Sequence, residues 1–209
     1  MTLAPLPGTL PAPEALSHFY RREHLPDGGT DGSFLDWVSA FGLPVPIANT
    51  RARLAALPYH DLHHIVSDYA TDEAGEAEVA GWTLGTGGGP LFGELYDSGA
   101  FLLGMVRFPI RTTRAFWRGR HCRNLYRRPA AHWVEQDLET LRRYTGVDAA
   151  PPPHGPVPAE SITGMDRLAL AQKVLVAAAL WLTPIAPLTI LGTVLLDRLT
   201  TAVQSEANP

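Results

Sequence analysis

Apolar side chains recur every three or four positions along most of this chain, and no segment shows a clean two-residue alternation. That period predicts helices. Leu16, Phe19 and Tyr20 form the apolar side of a helix from Pro13-Glu14 to about His24, broken by Pro26-Asp27-Gly28-Gly29. Phe34 to Phe41 reads as a short helix burying Leu35, Trp37 and Val38, stopped by Gly42-Leu43-Pro44. Asn49 or Thr50 caps a third helix through Leu57, and Pro58 opens a fourth that holds no Gly or Pro from Tyr59 to Tyr69. Thr71 or Asp72 caps a helix to about Leu84. Gly85 to Gly89 lacks the Lys-Ser/Thr of a phosphate-binding loop and follows no strand, so it reads as a turn. Helices from Pro90 to about Phe108, from Pro109, and from Pro129 to about Tyr144 complete the pattern, the last ended by Gly146. The fold class is therefore all-α, a helical bundle of about eight to ten helices.

Two stretches depart from this rhythm. Residues 1–13 hold four prolines and no charge, and read as a flexible tail; they lack the basic start and continuous apolar run of a secretory signal. Residues 148–158 hold five prolines and read as a linker between a helical domain, 14–147, and hydrophobic C-terminal helices, 159–204, with 205–209 as a second tail. Val174 to Leu196 is 23 residues without a charge. That is long enough to span a bilayer as a helix, but Pro184 and Pro187 sit in its middle. A membrane-inserted helical hairpin turning at Thr183–Pro187, a kinked single span, and two helices packed on the core or on a second copy are the three readings. Membrane contact is the expectation.

Charge and composition narrow the function. A net charge of −4 argues against general nucleic-acid binding. The single cysteine, Cys122, allows no intramolecular disulfide. Eight arginines lie between Arg107 and Arg128, in an acid-free stretch from Ser98 to Val134. Arg107, Arg111, Arg114 and Arg118 fall on one helical stripe. The stripe is either a solvated basic face or a surface for anionic lipid headgroups. Arg120 and Arg123 could instead meet a phosphate or carboxylate on a ligand. Arg111, Arg114, Arg118, Arg120 and Arg123 are thus candidate lipid or headgroup contacts.

The chemistry centres on Tyr59-His60-Asp61-Leu62-His63-His64. His60 and His64 are one helical turn apart on one face, and Asp61 lies about 100° round from His60. An antiparallel hairpin would return Glu76 to them from the following helix. Two imidazoles and two carboxylates suit a divalent metal, zinc first, with iron, manganese or cobalt as alternatives. The plain alternative is a polar helix face. His63 cannot share the His60–His64 face and would lie behind the ligands or face solvent.

His-Asp-x-x-His, eleven residues and then Glu resembles the signature of the coenzyme Q (ubiquinone) biosynthesis protein four family. Tyr59 before the motif, Tyr69-Ala70-Thr71-Asp72 after it, and Gly75-Glu76-Ala77-Glu78 through Trp82 match as well. A weaker match covers Arg118-Gly119-Arg120, Asn124-Leu125-Tyr126, Trp133 and Glu135. The similarity is that of a divergent bacterial branch. It implies that His60, Asp61, His64 and Glu76 bind metal, and that the chain works at the cytoplasmic side of the inner membrane. It also implies a prenylated quinone precursor or other isoprenoid lipid as partner, beside other enzymes of ubiquinone synthesis. The implied reaction removes the carboxylate of a polyprenyl-hydroxybenzoate and places a hydroxyl at ring carbon one. A non-catalytic prenyl-lipid scaffold with a structural metal is the alternative, and self-association is open. A metal phosphohydrolase would need another histidine before the His-Asp doublet and an aspartate well after it.

Overall fold

The computed structural model describes residues 6–26, 28–40 and 42–207. Among these are nine α-helices and one small hairpin: α1 (Ala12–Arg22), β1 (Leu35–Ala40), β2 (Leu43–Ala48), α2 (Arg51–Ser67), α3 (Glu73–Gly85), α4 (Leu91–Arg107), α5 (Pro109–Gly119), α6 (Ala130–Val134), α7 (Leu138–Thr145), α8 (Gly164–Trp181) and α9 (Ile185–Ala207). The all-helical bundle expected from the apolar period is present.

Three packed layers hold the centre together. Phe19, Tyr20 and Leu16 of α1 meet Leu62, Ile65 and Val66 of α2, with Leu138 and Leu141 of α7 beside them. Tyr69, Val79, Trp82 and Ala115 form a second group, and Leu84, Phe101, Phe116 and Ala177 a third. The α3–α5 contact depends on glycine. A Cβ at Gly81 would come within 2.8 Å of the Thr112 carbonyl oxygen, and one at Gly85 would meet the Phe116 carbonyl. The two backbones can approach this closely only without side chains there.

The structure corrects several local readings. Residues 35–40 are a strand, not a helix. They pair antiparallel with 43–48, from Leu35 opposite Ala48 to Ala40 opposite Leu43. Gly42 stands in the connection at φ +72°, the left-handed region that such turns require. Trp37 and Val38 are exposed, Trp37 at 64%, because the hairpin stands out from the bundle with only two strands. Phe41, the last residue of the expected helix, and Asp27 of the expected break lie outside the described residues.

Pro58 does not open a helix. Thr50 caps α2, its hydroxyl accepting from the Arg53 amide at 3.3 Å, and the helix runs through Pro58 to Ser67. The proline costs one backbone hydrogen bond, to Leu54, without ending the helix. The expected helix from Pro129 to Tyr144 is two, α6 and α7, because Asp137 caps α7 by accepting from the Thr140 amide at 2.8 Å. The same break receives the segment read as a flexible tail. The Leu138 amide donates to the Leu10 carbonyl at 3.0 Å, and the Glu139 amide to Gly8 at 2.8 Å. Residues 1–5 lie outside the described residues.

The proline-rich linker is tied down through its carbonyls, by Arg118 at Pro151 and Arg114 at His154. Beyond it, α8 and α9 break where Pro184 stands, and their axes are bent by 65°. Among the described residues no single helix is long and apolar enough to cross a membrane; α8 and α9 together pass that test as a bent pair. One side of α8 lies on α4: Ala177 is buried, and the Trp181 indole donates to the Ser98 hydroxyl at 3.0 Å. Asp197 of α9 takes the Arg51 guanidinium at 2.8 Å. The outer faces carry Leu175, Leu182, Leu188, Leu195 and Leu199, all exposed.

Candidate metal centre

Helix α2 presents His60 and His64 one turn apart, and a short turn brings α3 back alongside. Asp72 caps α3, accepting from the Gly75 amide at 2.8 Å, which fixes Glu76 in the first turn. The Glu76 carboxylate then bridges the two rings. His60 Nε2 stands 3.2 Å from Oε2, His64 Nε2 stands 3.3 Å from Oε1, and the two Nε2 atoms are 3.2 Å apart. One donor atom from each residue falls within 4.8 Å of the others, a grouping that could hold a metal ion. His64 forms the floor at 1% side-chain exposure, while His60 at 24% and Glu76 at 40% face outward.

The histidine tautomer follows from the neighbours. His64 Nδ1 lies 3.2 Å from the Tyr69 carbonyl oxygen, which can only accept. Nδ1 therefore carries the proton and Nε2 offers its lone pair to the group, the orientation a ligating histidine needs. Phe19 stacks on the other side of this ring, at 6.0 Å between centroids.

Without metal the group holds a proton. Burial opposes charge on His60, but the hydrogen bond and charge of Glu76, with Asp97 and Asp61 behind, raise its pKa to about 9. Burial likewise opposes charge on Glu76, and the two histidines reverse it and hold the carboxyl below its ordinary value. A divalent cation would take the place of that proton, so the donor set fits the group chemically.

Asp61, expected as a fourth ligand, is not among the three grouped donors. It is buried, and its Oδ2 accepts from the Tyr20 hydroxyl at 2.9 Å. Burial raises its pKa, against the pull of His60 and His64. His63 does not face solvent. It is fully buried, its Nε2 accepts from the Leu125 amide at 2.9 Å, and burial holds its pKa well below the usual imidazole value. It is a neutral core residue, joining α2 to the segment after α5.

Sequence reasoning missed Asp97 on α4. Its side chain is 5% exposed, and Oδ1 lies 3.9 Å from His60 Nδ1. Burial pushes its carboxyl up to about 7, with His60 pulling the other way. The signal was present: Asp97 stands four residues before the buried Phe101, on the inward side of an apolar helix.

The arginines of the stripe are engaged within the fold, although Arg107 and Arg120 remain exposed and Arg111 and Arg114 half-buried. Arg107 pairs with Glu73 at 2.8 Å, and Arg111 donates to both oxygens of the buried Glu78, at 3.0 and 2.5 Å. Arg114 donates to the His154 carbonyl at 3.0 Å, and Arg120 to Asp166 at 2.8 Å. Arg118 is 2% exposed and donates to the Ser67 carbonyl at 2.8 Å, out of reach of any headgroup. Arg123 is exposed. The acid-free run from Ser98 to Val134 is balanced in space by acids of α3 and α8, which a charge count along the chain does not reveal.

Two cavities, of about 170 and 420 Å³, lie beside Trp133 and Tyr144 and between α5 and the linker. Neither is lined by His60, His64 or Glu76. Compared with known proteins, the chain matches no family model, no curated protein and no solved structure.

Proposed function

We propose that this chain is a metalloprotein of ubiquinone synthesis that acts on a prenylated aromatic acid, with a divalent metal held by His60, His64 and Glu76. The observation that carries the reading is the convergence of three donor atoms within 4.8 Å, at positions where the sequence resembles the ubiquinone-synthesis signature. Three protein donors leave room for water or substrate, whereas structural zinc sites close with four protein ligands. That favours catalysis over a scaffold with a structural metal. Two histidines and one carboxylate also form the donor set of non-haem iron(II) oxygenases.

The reaction proposed replaces the ring carboxylate of a polyprenyl-hydroxybenzoate by a hydroxyl at carbon one: the ring–carboxyl bond breaks and CO2 leaves, one atom of dioxygen becomes the hydroxyl, and a two-electron donor with two protons reduces the other atom to water. It is oxidative, and zinc does no redox chemistry, so iron is the better assignment for this step, with manganese or cobalt next. When bound, the metal would act as a Lewis acid toward the substrate carboxylate or phenolate. The chain's own groups then have defined tasks. His64 and Phe19 keep the floor dry. Tyr20 and Asp61 hold a proton on a hydrogen bond beside the site. Glu76 and His60 border the side open to substrate.

A phosphohydrolase reading is weaker. Asp97 supplies an acid after the His-Asp doublet, but the histidines upstream, His18 and His24, are exposed and remote from the group.

We assign the membrane contact to α8 and α9 rather than to the arginines. The exposed leucines support this, and a membrane-held protein would meet a prenylated substrate where that substrate is dissolved. The test is complementation in a host lacking its own enzyme for this step. Wild type should restore the quinone, and His64→Ala should accumulate a prenylated ring acid that keeps its carboxylate. If His64→Ala restores the quinone while its site is shown to be empty of metal, the catalytic reading is wrong and the scaffold stands.

A further inference from the structure

Each histidine of the metal group has a second nitrogen, and the surroundings of those two nitrogens differ. His64 Nδ1 is fixed by a backbone carbonyl, that of Tyr69, at 3.2 Å. Among the described residues His60 Nδ1 has no such carbonyl bond. It points to α4, where Asp97 Oδ1 stands at 3.9 Å.

Asp97 is otherwise hard to explain. It sits on α4 among residues that pack inward, Leu95 and Phe101 on either side, and is itself buried. Its Oδ2 is buried with no hydrogen-bond partner among the described residues. The chain's single lysine, Lys173, pairs with Glu94. Asp61, the other buried carboxylate at the site, has the Tyr20 hydroxyl as a donor; Asp97 Oδ2 has none among the described residues. A buried carboxylate without donors costs free energy. Its place therefore does not come from holding α4 to the bundle, which an apolar residue would do better.

We propose that Asp97 is the positioning residue for His60: its carboxylate faces the Nδ1–H and so presents Nε2 to the metal. The inference rests on the metal reading above. A histidine that ligates through one nitrogen commonly gives its other N–H to a carboxylate or carbonyl, which fixes the ring and raises its basicity. Here one histidine uses each kind of acceptor. The two acceptors come from different elements, the α2–α3 turn and α4, so the group is braced from two sides. At 3.9 Å, Asp97 and His60 are in ion-pair contact, beyond hydrogen-bond length. Asp97 is not a ligand in this assignment and touches no substrate.

The test uses the full chain and Co²⁺ as the probe. Affinity is measured by competition with a chelating dye, the site by its visible absorption, the His60 tautomer by ¹⁵N NMR, and the metal-free fold by thermal unfolding. Asp97→Asn should bind Co²⁺ roughly 10–100-fold more weakly than wild type, with a changed spectrum. Its metal-free Tm should be equal or higher, because a buried charge is gone. A purely structural role would do the reverse, lowering the metal-free Tm and leaving affinity per folded chain unchanged. Asp97→Ser is the second variant, with the same expected loss. If wild type and Asp97→Asn bind Co²⁺ with equal affinity and spectrum, the proposal is overturned while the metal reading stands. If wild type binds no Co²⁺, both fall. Failure of both variants to fold makes Asp97 structural and also overturns it.

Discussion

Around the α2–α3 hairpin, His64, Asp61 and Asp97 lie out of water; along α8, α9 and the bend between them, Leu175, Leu182, Leu188, Leu195 and Leu199 lie in it. Each arrangement is unfavourable in an isolated chain. Buried ionisable groups lose hydration, and exposed leucines order solvent around apolar surface. The difference lies in what would offset the cost. At the hairpin the polar groups converge within a few ångströms, so one small cation can answer all of them. Along the elbow the apolar groups spread over two helices at 65°, so offsetting them takes an extended apolar surface, whether a bilayer or another protein. Irregular burial of opposite sign thus points to two different partners.

The largest expected effect breaks the first half of this contrast. Purified protein should carry about one divalent metal per chain, and His64→Ala or Glu76→Ala should carry almost none. Elemental analysis decides it; stoichiometric metal in both variants would sink the site. The second half is tested with Leu188→Asp combined with Leu195→Asp. Both side chains are exposed, so the fold should survive, and Tm should move little. Burying a leucine is worth about 1.5–3 kcal/mol, so binding to phospholipid vesicles should fall by at least roughly a hundredfold. If vesicle binding is unchanged at low salt and lost at high salt, charge carries the contact and the elbow does not.

A third substitution tests the frame that holds the hairpin. Gly81→Val forces a side chain against the Thr112 carbonyl and should cost about 1–3 kcal/mol of stability. Because α3 carries Glu76 at its other end, metal affinity of the folded fraction should hold. Calorimetry and dye competition separate the two readouts, and a loss of affinity without a loss of Tm would contradict this account.

Much of this was legible in the chain. The spacing of His60 and His64, the cap at Asp72 and the position of Glu76 are local, so periodicity and capping place them without tertiary information. What was not legible depends on contacts distant in sequence. Asp97 meets His60 across 37 positions, and Arg111 meets Glu78 across 33. The 35–48 hairpin was missed for another reason. Gly42-Leu43-Pro44 read as the stop of a helix, yet an edge strand tolerates proline, and Gly42 is the turn that joins two strands. Leu10 and Gly8 pair with the chain before α7, which no local pattern in a proline-rich segment announces.

The smallest expected effect concerns the proton that occupies the site without metal. His60 is raised to about 9 from an ordinary 6.5, because Glu76, Asp97 and Asp61 outweigh the burial that opposes its charge. A raised histidine binds its proton more tightly folded than unfolded. Its contribution to stability is therefore complete below about pH 6.5 and is lost as pH rises through 9. Asp97, raised to about 7 by burial, adds a fall in the same direction at lower pH, because its ionised form is disfavoured in the folded chain. The metal-free protein should thus lose stability between pH 6.5 and 9, on the order of 1 kcal/mol after allowance for partial solvent access. Urea midpoints across that range measure it. With metal bound, His60 has already given up its proton, so the slope above pH 6.5 should flatten, and metal affinity should rise over the same interval. His60→Gln in the metal-free state should flatten it too. A slope that persists in both the loaded protein and the variant would move the proton to another group and take His60 out of the centre.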